Sequence, residues 1–186
     1  MRRFIFSLAA ILTITVPARA QSPATPTNWS AAAVAGAGRT WDDEGVIGDG
    51  AIAGGRVARR IIGGTFVEGS LDVLHHERAD RFSAEGNTLF LSAAVVQRFG
   101  RGRVQPYALG GVTLARHRGT YGFLPDNKVS RAESTDTGFV FGGGMAVRAG
   151  RRFEIGPEVR FFFLGSDTDS SPAIGYWIGA RFGVRF

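Results

Sequence analysis

Along the last strand-length of the chain, Ile174, Tyr176, Ile178, Ala180, Phe182, Val184 and Phe186 occupy every second position, and Gly175, Trp177, Gly179, Arg181, Gly183 and Arg185 fall between them. Side chains alternate across a β-strand, so this segment has one greasy face and one face that is mostly small or charged. The run before it repeats the pattern, with Phe153, Ile155, Pro157, Val159, Phe161 and Phe163 opposite Glu154, Gly156, Glu158, Arg160, Phe162 and Leu164. Around residue 140, Phe139, Phe141, Gly143, Met145 and Val147 oppose Gly142, Gly144 and Arg148. No comparable apolar stripe at helical spacing occurs after the first twenty residues. The chain must therefore fold from two-faced strands.

The same reading places eight strands, at about Trp29–Arg39, Asp49–Arg59, Ile61–Glu77, Asn87–Phe99, Val104–Arg118, Asp136–Ala149, Phe153–Leu164 and Ala173–Phe186. Their connections alternate in length. Arg59-Arg60, Gly100 to Arg103 and Gly150 to Arg152 read as tight turns, whereas Thr40–Gly48, Arg78–Gly86, Gly119–Thr135 and Gly165–Pro172 read as long polar loops. A transmembrane barrel pairs short turns at one end with longer loops at the other, and needs strands of roughly 9–11 residues to cross. A soluble ligand-binding barrel wants the opposite polarity, with apolar side chains inside.

Here the charged face, with Arg56, Glu68, Asp72, Arg148, Glu154, Glu158, Arg160 and Arg181, opposes the bulky Phe, Ile, Val and Leu faces. Charges near a bilayer midplane cost about 2–4 kcal/mol each, so these must line the lumen and the apolar faces must meet acyl chains. The expected fold is all-β, an eight-stranded antiparallel transmembrane β-barrel. A ten-stranded version arises if the long third strand and its loop are split. Closure satisfies every backbone hydrogen bond in a solvent that cannot supply any. The interior of so narrow a barrel holds little more than side chains, which gives many of the 27 glycines a use.

The first twenty residues stand apart. Met1, Arg2 and Arg3 precede the apolar run Phe4 to Val16, which ends in Pro17-Ala18-Arg19-Ala20. That order reads as a secretory signal peptide (1–20), with small residues Ala18 and Ala20 at the cleavage site and an apolar run too short to span a membrane. Residues 21–28 carry two prolines and read as a polar tether, and 29–186 as the barrel domain. Removing Arg2, Arg3 and Arg19 leaves 19 basic against 16 acidic residues, so the formal charge falls from +6 to +3. With no basic run and an exported chain, no nucleic-acid partner is expected.

Ile178, Phe182, Val184 and the terminal Phe186 resemble the final-strand signature of bacterial outer-membrane β-barrels, which ends in an aromatic residue. Where that family usually has glycine five residues before the last, this chain has Arg181. The stretch from Val104 to Val112 (VQPYALGGV) is similar to a central strand common in small outer-membrane barrels of the OmpA/OmpX-like kind. The resemblance implies an outer-membrane location reached through the periplasm. It also implies recognition of the last strand by the barrel-assembly machinery, and contact with outer-membrane lipids and lipopolysaccharide.

The absence of cysteine removes thiol catalysis, disulfides and thiolate metal sites. His75 and His76 are adjacent on a strand and point to opposite faces, so with Asp72, Glu77 and Asp80 they make a poor metal site. The deacylases among small outer-membrane barrels carry a His-x-Ser pair. Here the positions two after His75, His76 and His117 are Glu77, Arg78 and Gly119. A grouping of His117 with Ser130 or Ser134 and Asp136 stays open. No catalytic, cofactor or metal residue is assigned. The expected role is structural or surface interaction, with the lumen closed by its charge network or at most a narrow pore; a lipid A-modifying enzyme and a small-solute channel are the alternatives. The 119–135 loop, with its arginine, is the candidate for lipopolysaccharide phosphates or another external ligand.

Overall fold

A computed structural model describes residues 28–42, 45–76, 83–123, 128–165 and 173–186. The signal segment with Ala18 and Ala20, and the tether up to residue 27, lie outside the described residues. Eight strands run β1 (Trp29–Asp42), β2 (Gly45–Ile62), β3 (Thr65–His76), β4 (Ser83–Arg98), β5 (Val104–Phe123), β6 (Lys128–Ala149), β7 (Phe153–Gly165) and β8 (Ala173–Arg185). Each pairs antiparallel with its sequence neighbour, and β1 pairs with β8 to close the barrel. The ten-stranded variant is not formed.

Four connections depart from the sequence expectation. The first tight turn is at Gly63-Gly64 and not at Arg59-Arg60, because Gly63 has φ +53°, a conformation that costs glycine nothing and other residues dearly. Gly100 and Gly150 do the same in the other two short turns. Arg59 and Arg60 are therefore the strand's last polar positions and do not form its turn. Gly119–Thr135 is mostly not a loop either: β5 and β6 stay paired from Val104↔Val147 to Phe123↔Lys128, a hairpin reaching far beyond the wall of the shorter strands. The connections after β1 and β3 are also shorter than read, since β1 reaches Asp42 and β2 begins at Gly45, while β4 begins at Ser83 and not at Asn87.

The alternation resolves into two surfaces. Outward residues include Leu71, Leu91, Val112, Phe139, Phe141, Ile178 and Phe182, all exposed, with Phe141 stacked between Phe161 and Phe163 at centroid distances of 5.4 and 5.1 Å. Inward residues are buried. On β5 the outward series runs from Val104 to Leu114, and ten residue steps at about 3.4 Å, tilted by about 45°, span roughly 25 Å, the height of an outer-membrane apolar band. Beyond Leu114 the outward positions become Arg116 and Arg118.

Closing eight strands brings backbones close on the inner side. At the β1–β8 seam Gly36 faces Gly179. A Cβ on Gly36 would collide with the Ile178 carbonyl oxygen, and one on Gly179 with that of Ala35. Below them the Trp29 and Phe186 main chains exchange hydrogen bonds of 3.3 and 3.1 Å. The terminal signature residues Ile178, Phe182, Val184 and Phe186 all point outward.

Candidate functional site

The lumen is filled in layers. At its centre three arginines meet three carboxylates. Arg160, projected inward from β7, donates from Nη2 to Glu68 (2.5 Å), from Nε to Glu158 (2.7 Å) and from Nη1 to Ser70 (3.1 Å). Arg181 of β8 reaches the other oxygens of the same two glutamates, at 2.9 Å for Glu68 and 3.3 Å for Glu158. Arg56 of β2 pairs with Asp72 at 2.5 Å and lies 3.6 Å from Glu158 and 3.8 Å from Glu68. Tyr107 donates its hydroxyl to Glu158 at 2.6 Å. Every one of these groups is at most 5 % exposed, so the site is a buried cluster in which three formal positive charges meet three negative ones.

Aromatic rings cover the guanidinium groups. The Trp177 centroid is 5.4 Å from the Arg56 guanidinium carbon and 5.9 Å from that of Arg160, and Tyr107 lies 5.7 Å from Arg181. A cation over an aromatic face is attracted by the ring quadrupole, and more strongly where water is excluded. Toward the end bearing the long hairpins the lumen is packed by apolar groups, including Leu74, Leu164 and Phe90 stacked on Phe162 at 4.4 Å.

Six of the eight lumen charges read from sequence thus come together: Arg56, Glu68, Asp72, Glu158, Arg160 and Arg181. The other two do not join them. Glu154 sits at the short-turn end, held by both oxygens to Arg98 Nη1 (2.8 and 2.9 Å) and by Arg185 at 3.1 Å. Arg148 lies opposite Glu154 in the β6–β7 register, but its Nε has no hydrogen-bond partner. Its position one strand-end lower than the central cluster is the reason. Sequence reasoning missed Tyr107, Ser70 and Trp177, although parity along β8 already put Trp177 on the inward face.

At the long-hairpin end a second polar chain crosses the lumen. His76 Nε2 is 2.6 Å from Thr88 Oγ1, which is 2.8 Å from His117 Nδ1, and His117 Nε2 is 3.2 Å from Asp136. Ser134 reaches the same carboxylate at 3.4 Å. One set of tautomers satisfies the chain: His76 Nε2–H donates to Thr88, Thr88 donates to His117 Nδ1, and His117 Nε2–H donates to Asp136. The outward neighbours at this height are His75, Asn87, Arg116 and Arg118, so it lies beyond the apolar band. The arrangement has the Asp–His–hydroxyl order of a nucleophilic triad, but Thr88 has no exposed surface and holds both imidazoles. Ser130 lies among residues whose side chains are not described.

Burial, then the neighbouring His117 and His75, push the His76 imidazole down to about 4, and burial also lowers His117 against the pull of Asp136. Both are neutral near pH 7. An unfolded chain would take protons on these rings near the ordinary value of 6.5, so between 6.5 and 4 the unfolded state binds more protons than the barrel. Stability is therefore full above about pH 6.5 and declines as pH falls toward 4. Urea midpoints at pH 7.5 and 4.5 should show the loss, and His76→Gln should flatten it.

On the outside of the β5–β6 hairpin, Arg116 and Arg118 both bond Glu133 and hold its carboxyl below the usual range. Among the described residues no group of three metal-ligating side chains occurs.

An apolar outer wall of membrane height around a sealed, charge-neutral lumen defines a small transmembrane barrel of the outer-membrane type. Solved structures agree on the fold. The chain is similar to Neisserial surface protein A (TM-score 0.65, 16% identity, covering 85% of this chain and 97% of that one). It is also similar to the N-terminal β-barrel domain of Pseudomonas aeruginosa OprF (0.52, 14%, 84% and 98%) and to Ail, the attachment invasion locus protein of Yersinia pestis (0.53, 16%, 86% and 99%). At such identities the likeness is one of fold. No family model and no curated protein matches the sequence.

Proposed function

We propose that this chain is an exported outer-membrane protein whose barrel is a closed, non-catalytic scaffold for surface hairpins. The observation that carries the reading is the lumen: Arg160 at 0 % and Trp177, Phe90 and Phe162 at 1 % exposure fill it at mid-height with side chains packed against one another. A conduit needs a continuous wet path, and the hydroxyl aligned with His117 and Asp136, that of Thr88, has no exposed surface for a substrate to touch. The resource such a barrel offers is its rigid rim, from which the β5–β6 hairpin projects, and rigidly held projections are the usual binding surfaces.

Outer-membrane lipids and lipopolysaccharide are the partners this reading favours. Arg116 and Arg118 emerge one and two outward positions past Leu114, at headgroup height, where guanidinium groups suit phosphate. The outward Ile178–Phe186 face is the handle offered to the assembly machinery.

The test is fractionation with gel mobility before and after boiling, followed by planar-bilayer recording. A heat-shifted band in the outer-membrane fraction with no conductance steps is expected. Regular steps would favour the channel, an altered lipid A mass in expressing cells would favour the enzyme, and a soluble protein without a shift would overturn the membrane placement.

A further inference from the structure

The end of the barrel bearing the short turns is strongly basic. Arg59 and Arg60 close β2, Arg101 and Arg103 lie in the second turn, and Arg151 and Arg152 lie in the third; all six are exposed. The acidic side chain at this end, among the described residues, is Glu154, and it is turned inward and shared by Arg98 and Arg185. Arg60, Arg101, Arg151 and Arg152 make no side-chain hydrogen bond or ion pair among the described residues. The opposite rim differs. There Arg39 is paired with Asp49, and Arg116 and Arg118 share Glu133.

Large apolar side chains stand at the same height. Trp29, Phe99, Phe153 and Phe186 are each about half exposed, and Ile61 and Ile62 at the first turn are 60 and 73 % exposed. The Arg59 guanidinium lies 5.5 Å from the Trp29 ring centroid. Aromatic residues gather where hydrocarbon gives way to headgroups. An arginine fork matches two phosphate oxygens while its stem covers apolar surface.

We propose that this collar binds the phosphates of anionic phospholipids, of the phosphatidylglycerol and cardiolipin class, in the leaflet that meets the short turns. The partner is a lipid and not an acidic polymer because the arginines are interleaved with exposed aromatic and branched side chains, which a polymer in water would leave wetted. The unpaired charge fixes the sign of the headgroup. The inference goes beyond the scaffold role and rests on its membrane placement.

The experiment uses the mature protein with Trp41→Phe, folded in lipid nanodiscs, so that Trp29 reports at the collar while Trp177 stays sealed in the lumen. Brominated phosphatidylglycerol should quench the fluorescence with about fivefold higher apparent affinity than brominated phosphatidylcholine, the ratio supplied by roughly one arginine at an anionic surface. The preference should fall close to one in the variant Arg60→Ser/Arg101→Ser/Arg151→Ser/Arg152→Ser, and in salt of about 0.5 M. Equal quenching by both lipids, or a preference that survives in the variant, would overturn the proposal. So would equal quenching combined with salt-sensitive sedimentation on purified peptidoglycan, which would assign the collar to the cell wall. Heat-shifted mobility of the same samples separates these outcomes from failure of the barrel to enter lipid, which would overturn the membrane placement as well.

Discussion

Arg160→Ala is expected to lower the unfolding free energy by about 3–5 kcal/mol, the cost of leaving buried charges without their partner. The substitution strips Glu68 and Glu158 of their shortest arginine contacts and takes a donor from Ser70. The remaining cluster has two arginines for three carboxylates, all of them buried. Arg181 still reaches both glutamates, and Tyr107 still donates to Glu158, which keeps the loss from being larger. The measurement is the urea midpoint of the heat-shifted band for protein refolded in detergent. A midpoint equal to wild type would mean that the cluster is wet. Glu158→Gln, which removes one charge and keeps the shape, provides a milder destabilisation should Arg160→Ala not assemble. Arg116→Ala is the contrasting control, because its partner Glu133 is exposed and water replaces the pair.

Most of this architecture is legible in the sequence because a barrel writes itself at period two. Once the faces of β7 and β8 are separated, the lipid side and the lumen side follow for Phe161, Ile178, Glu158, Arg160 and Arg181 without tertiary information. What period two does not encode is height. Glu154, Arg148 and Glu158 lie on the same inward face, yet only Glu158 joins the centre, because the stagger of neighbouring strands decides which inward residues share a level. Tyr107 meets Glu158 across the lumen between strands that are not neighbours, and no spacing rule along one strand announces that. Polarity misled where strands leave the membrane: residues 119–123 and 128–135 look like loop because they are polar, but an antiparallel hairpin in water needs no apolar face to keep its ladder. At the other end, the same cue misplaced the first turn, since Arg59 and Arg60 are headgroup-level strand residues and the turn is set by the backbone freedom of Gly63.

Phe141→Arg asks which solvent the outer wall meets. Phe141 is outward, 44 % exposed, stacked between Phe161 and Phe163, and paired with Gly110 on β5, a little beyond halfway from Val104 toward Leu114. In a bilayer an arginine at this height has a longer way to either headgroup layer than one at the collar or beside Arg116. The expected destabilisation is about 2–4 kcal/mol for the charge near the midplane, with the loss of two aromatic contacts added. In water the sign of the main term reverses, since exchanging an exposed phenylalanine for arginine improves solvation and leaves the lumen untouched. Unfolding midpoints in lipid vesicles therefore separate the two environments cleanly. A large loss places the wall in hydrocarbon, whereas an unchanged or raised midpoint would mean that the apolar face is covered by something other than lipid. Arg39 and Arg116 already occupy outward positions above the band, so an added arginine there, as in Asn87→Arg, is expected to have little effect. The depth dependence between positions 87 and 141, more than either value alone, identifies the solvent.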